Sequence, residues 1–143
     1  LLPSNKGLFC GKRKAGIKYS RVFKIDPEDD IFQLFRVRLG SDDPIALEYT
    51  YVPYSVIPEL ETYNFEQTSL YSLFEKYRIE IDYDHQQLEI VNICNPQAKL
   101  LNLEENTSVF MLHNTVTAKN GQIVEHTRSY IGGNTLTFSS NLT

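Results

Sequence analysis

Two segments rich in β-branched and aromatic residues, Ile31–Leu39 (IFQLFRVRL) and Pro44–Val52 (PIALEYTYV), flank the turn Gly40-Ser41-Asp42-Asp43. A connection this short joins antiparallel strands only, because a parallel pair needs a crossover of a dozen or more residues. The arrangement recurs near the C-terminus, where Thr107–Thr117 (TSVFMLHNTVT) and Gln122–Ile131 flank Asn120-Gly121. That dipeptide suits a type I′ turn, which needs positive φ at both central residues.

The rest of the chain arranges itself around these hairpins. Residues 1–16 are rich in Gly, Lys, Asn and Ser, lack a clear period and read as a linker or frayed start. Ile17–Ile25 alternates, with Tyr19, Arg21, Phe23 and Ile25 on one side, before Asp26-Pro27-Glu28-Asp29-Asp30 breaks the chain. Pro53 and Pro58 bracket a short irregular or single-turn helical piece. Thr68 or Ser69 then caps a helix through SLYSLFEKY, where Leu70, Leu73, Phe74 and Tyr77 recur at helical spacing. A long strand over Ile79–Ile93 follows, then a short helix started by Asn95-Pro96. Gly132-Gly133-Asn134 turns the chain toward a last short strand at Leu136–Phe138. The expectation is one α+β domain, an antiparallel sheet with helices packed on one face.

Composition narrows the functional classes. Hydrophobic residues make up 41% and charged residues 22% of 143 positions, a globular mixture without a run long enough to cross a bilayer. Cys10 and Cys94 lack partner spacing and read as reduced thiols of a cytoplasmic protein, with one long-range disulfide as the alternative. The first 25 residues hold seven basic side chains and no acid, whereas the remaining 118 carry a net charge of −11. A basic leader either contacts phosphate backbone or is a solvated tail. The acidic body repels a polyanion, so it does not bind DNA itself. No glycine-rich phosphate loop or Gly-x-Ser-x-Gly elbow is present in the sequence. His85, His113 and His126 sit far apart without ligand spacing, so neither a metal site nor a cofactor is expected.

Polar residues inside the strands carry the remaining signal. Arg36 and Arg38 share a face of one strand, about 6–7 Å apart. Side by side, two guanidiniums repel unless they face water or share an anion, and Arg suits bidentate capture of phosphate or carboxylate. Register decides whether Glu48 joins them: a three-residue loop, with Gly40 facing Pro44, puts Arg36 opposite Glu48 and Arg38 opposite Ala46. A four-residue loop puts Arg36 opposite Leu47. Glu125 is a further acid within a strand. Ser69 and Tyr71 open the central helix, whose first N–H groups either form an anion site or are simply capped.

The segments FRVRLGSDDPIALEYTYVP, SLYSLFEKYRI, the long strand and NPQAKLLNLEENTSVFMLHNTVTAKNGQIVEHTRSYIGG together resemble the UTRA domain. That is the effector-binding module of HutC-type GntR transcription regulators. The resemblance covers about residues 30–133, with the Arg-x-Arg strand, the Pro-x-x-x-Glu strand, the Ser-Leu-Tyr helix start and the Glu-x-x-Arg-Ser-Tyr strand in the family's order. It implies a chorismate-lyase-like antiparallel fold, a homodimer, and DNA binding through an N-terminal winged helix-turn-helix domain that residues 1–30 cannot supply. On this reading the chain is a fragment, with residues 1–16 a linker remnant and 17–143 the effector-binding domain.

The implied ligand is a small anionic metabolite such as a sugar phosphate or amino-sugar phosphate. Arg36 and Arg38 would contact its anionic group, Ser69 and Tyr71 would complete that pocket, and Glu48 and Glu125 would accept from hydroxyl or amide groups. Arg78 is a further candidate. The family often has an aromatic where Ile131 stands, while the tyrosine here is Tyr130, and the family's helix ahead of the Arg-x-Arg strand is expected to shrink to Asp26–Asp30. Two alternatives stay open: a lyase-fold enzyme acting on a small carboxylic acid through Arg36, Arg38 and Glu125, and a pure dimerisation module.

Overall fold

The short turns dictate the strand pairing. The structure is a computed structural model that describes residues 3–132, with side chains from Phe9 onward, so the strand expected at Leu136–Phe138 lies outside the described residues. Chain order is β1 (Pro3–Lys14), α1 (Gly16–Phe23), β2 (Asp30–Gly40), β3 (Asp43–Pro53), a 3-10 turn (Leu60–Thr62), α2 (Leu70–Lys76), β4 (Ile81–Asn92), α3 (Gln97–Leu100), β5 (Ser108–Ala118) and β6 (Ile123–Ile131). The strands form one antiparallel sheet in the order β1-β2-β3-β6-β5-β4.

Two N-terminal expectations are corrected. Pro3–Lys14, read as linker, is a full strand on the edge of the sheet, paired with β2 from Pro3↔Gly40 to Lys14↔Asp30. Its ladder is made by backbone groups, so a polar sequence without alternation can still supply an edge strand. Ile17–Ile25 is mostly helix, not strand. Ala15, Tyr19 and Phe23 are spaced by four and buried together against Ile31 and Tyr51, a stripe that fits a helical period as well as an alternating one. Lys24, left-handed at φ 58°, ends the helix. The helix ahead of the Arg-x-Arg strand is therefore present in α1, and Asp26–Asp29 is a turn closed by Asp29 N–H donating to Asp26 O.

The helices divide between the two faces instead of gathering on one. On one face the 3-10 turn and α2 bury Leu60, Leu70, Leu73 and Phe74 against Phe32, Val52 and Val116. On the other, α1 covers Ile31 and Tyr51, and Ala98 and Leu101 at α3 cover Val37, Leu47 and Val109. Local patterning shows that each helix has an apolar stripe but not which side of the sheet receives it.

Turn chemistry sets the register. Ser41 and Asp42 form a two-residue turn with φ of 52° and 70°, closed by Gly40↔Asp43, and the ladder then slips at Ile45. That one-residue bulge restores Arg36↔Glu48 and Arg38↔Ala46, the pairing expected of a three-residue loop, although Gly40 faces Asp43 and not Pro44. At the second hairpin only Gly121 has positive φ, at 90°, and its N–H donates to Ala118 O. The expected type I′ turn is thus a type I turn followed by a left-handed glycine.

Candidate functional site

Residues directly opposite in neighbouring strands point to the same face, so the ladders define rows that cross the sheet. On the α2 side one row runs Arg36, Glu48, Ser129, Leu112, Leu88, and the next runs Leu34, Thr50, Thr127, Asn114, Gln86. Glu125 and Asp84 lie in the row beyond, either side of Val116. The centre of this face is polar, with Thr50, Thr127 and Ser129 buried there.

Arg38 Nε donates to Glu48 Oε1 at 2.9 Å, and the Arg36 guanidinium lies 3.2 Å from the same oxygen. Two cations therefore share one carboxylate and leave a positive surplus. Burial pulls the Arg36 guanidinium's pKa down, with Glu48 opposing and Arg38 reinforcing the shift. Arg36 and Arg38 line a cleft of about 220 Å³ with Phe65, Glu66, Gln67, Thr68 and Ser69. Ser69 caps α2, its Oγ accepting from Ser72 N–H at 3.1 Å.

The other end of the face is acidic. Glu125 is 7% exposed, and Thr127 Oγ1 donates to its Oε2 at 2.6 Å while pairing with Thr50 Oγ1 at 3.0 Å. Burial raises the Glu125 pKa, the Thr127 hydrogen bond opposes, and the Asp84 carboxylate adds to the rise. Tyr71 belongs to this end: burial, then Glu125 and Asp84, push its phenol up to about 12. Among the described residues Glu125 Oε1, Asn114 Oδ1 and Arg36 Nε are buried without a hydrogen-bond partner, and all three belong to this face. Unpaired buried polar atoms are rare and costly, which makes three on one face a mark of a binding surface.

The fold thus brings Arg36, Arg38, Glu48 and Ser69 together at one end and Glu125 with Tyr71 at the other. It separates Ser69 from Tyr71, which were expected in one pocket. Arg78 stands apart and lines a cleft of about 530 Å³ with Tyr71, Phe74 and Glu80. Ile131 shares the Glu125 face, whereas Tyr130 packs on the other side, edge-on to Tyr49 at 6.3 Å between ring centroids. Sequence reasoning missed Thr50, Thr127, Asn114 and Asp84. Their signal was a period of two: Thr50 follows Glu48 and Thr127 follows Glu125 on the same face.

The UTRA domain family matches residues 3–137. The HTH-type transcriptional repressor NagR of Bacillus subtilis (strain 168) is 32% identical over 109 residues, 76% of this chain and 44% of that protein. The probable fructoselysine utilization operon transcriptional repressor of Escherichia coli (strain K12) is 22% identical over 129 residues, 90% of this chain and 53% of that protein. The chain spans about half the length of these relatives. In fold it is similar to the C-terminal domain of the histidine utilization repressor from Pseudomonas syringae pv. tomato str. DC3000, with a TM-score of 0.86, 16% identity and 93% of each chain covered. By their names these proteins are transcription regulators or domains of them. The chain belongs to the UTRA domain family, the effector-binding module of GntR-type transcription regulators that its segments resemble.

Proposed function

We propose that this domain senses a small anionic metabolite of the sugar phosphate or amino-sugar phosphate class. The anion sits on Arg36, Arg38 and Ser69, and the hydroxyl or amino groups reach Glu125, with Tyr71 closing that end. The single observation that carries this reading is the sharing of one Glu48 oxygen by two guanidiniums, on the face that ends in a buried carboxylate with an unpaired oxygen. Such a face is bipolar, matching a ligand with an oxyanion at one end and hydrogen-bond donors at the other. The name of one relative refers to fructoselysine utilization, a sugar derivative, which supports the class.

In the same reading the protein is a cytoplasmic homodimer, and a winged helix-turn-helix domain outside this sequence binds the operator. The effector acts by binding one dimer geometry more tightly than the other. The test is thermal unfolding with matched phosphorylated and unphosphorylated sugars. At 100-fold excess over Kd the effector stabilises by about 2.7 kcal/mol, and Arg36→Ala removes that gain. If no phosphorylated compound stabilises the domain, the reading fails.

A further inference from the structure

We propose that the face of the sheet opposite the effector site holds a second binding site, for an oxyanion, centred on Arg128 and flanked by Tyr49, His113 and Lys18. Arg128 of β6 lies directly opposite Tyr49 of β3 and His113 of β5. Its guanidinium sits over the Tyr49 ring, 5.0 Å from the centroid. α1 contributes Lys18 on one side, and α3 contributes Gln97 on the other, whose Nε2 donates to the Tyr49 hydroxyl at 3.2 Å. The row Tyr49, Arg128, His113 therefore floors a strip between two helices.

What sets this strip apart is its one-sided charge. Among the described residues Arg128 makes no ion pair, and its Nε is buried without a hydrogen-bond partner. Arg36 and Arg38, on the other face, both have Glu48. The charged neighbour of Arg128 is a second cation, Lys18, and two imidazole rings complete the surroundings. His113 and His126 lie 6.2 Å apart between ring centroids, and burial and Arg128 both depress the Lys18 ammonium. Burial, then His113, Lys18 and Arg128, bring His126 down to about 4. The acid within reach is Glu89 of edge strand β4, more than half exposed and 3.8 Å from His113 Nε2. A partly buried guanidinium beside the Lys18 ammonium, with no acid paired to it, is repelled by that neighbour, and an oxyanion accepting from the guanidinium converts the repulsion into charge-assisted hydrogen bonds. Carboxylate and phosphate share this chemistry, whether as a free metabolite or as an acidic side chain of polypeptide outside this chain.

The test is titration of inorganic phosphate into the domain, followed by NMR through the ring signals of His113 and His126, which report on this face alone. A saturable shift is expected that survives Arg38→Ala and weakens about tenfold or more with Arg128→Gln, as losing one charge-assisted hydrogen bond requires. The Arg128→Gln protein melts close to the parent, because relief of repulsion from Lys18 offsets the lost contact with the Tyr49 ring, and Arg128→Lys retains part of the binding. The proposal is overturned by a shift that never saturates, by one unaltered in Arg128→Gln, or by an Arg128→Gln protein that loses stability with no change in phosphate response. Since the effector reading concerns the other face, either can fail alone. Repeating the titration on a protein of the relatives' full length separates the sources: a retained shift means a free ion, and a lost one means a carboxylate of the added polypeptide.

Discussion

Arg38 Nε donates to Glu48 Oε1 at 2.9 Å although the ladder pairs Glu48 with Arg36, so the carboxylate is held diagonally by one arginine and directly by the other. Neutralising Glu48 leaves two partly buried guanidiniums facing each other. Glu48→Gln is expected to cost about 1–3 kcal/mol of stability, measured by urea denaturation. Added phosphate recovers part of that loss. A variant as stable as the parent, with no response to phosphate, contradicts the shared-carboxylate account.

Glu125 gives the domain a pH dependence of known sign. Its folded pKa is raised above 4.5, so the folded state holds a proton that the unfolded chain has released. The stability it contributes is full below 4.5 and lost as pH rises through the folded value. Glu125→Gln abolishes that loss. The melting temperature of the variant should therefore climb more steeply with pH than that of the parent, from the unfolded value upward.

His126 works in the opposite direction. Its ring titrates near 4 when folded against 6.5 when unfolded, so stability is full above 6.5 and lost as pH falls toward 4. Thr115 Oγ1 holds its Nδ1 at 3.1 Å. His126→Gln should remove the loss on acidification, leaving the falling slope of Glu125 exposed. A His126 ring that titrates near 6.5 by NMR in the folded protein ends this account.

The tip of the first hairpin is strained where it need not be. Ser41 and Asp42 both sit at positive φ, a conformation that Asn-Gly adopts readily. Replacing them by Ser41→Asn and Asp42→Gly should stabilise the domain by about 1 kcal/mol, read from the urea midpoint, without altering the response to phosphate. A destabilised double variant would mean that these side chains do something beyond turning the chain.

The sheet was legible because its turns are short and its strands are patterned: every strand from β2 to β6 lies close to where its residues placed it. β1 was not legible, since an edge strand made of Lys, Asn, Gly and Ser is held by its backbone ladder with β2. α1 was misread because Tyr19 and Phe23, four apart, satisfy both periods at once. That Arg36 and Arg38 share a face was legible, but their link to Glu48 in the candidate site depended on the bulge at Ile45, which local sequence does not announce. The threonines at 50 and 127 went unnoticed because a strand tolerates threonine on either face, and only the ladder shows that they meet. His113 and His126 read as isolated until the β5–β6 pairing set their rings side by side.

β6 carries Glu125, Thr127 and Ser129 on one side and His126, Arg128 and Tyr130 on the other. It is a common partition, so its peptide planes cannot tilt toward a guest on one side without re-aiming the side chains of the other. Communication between the two sides therefore requires neither hinge nor moving helix. A residue-by-residue scan along this segment would reveal it as phenotypes that alternate in kind with every step.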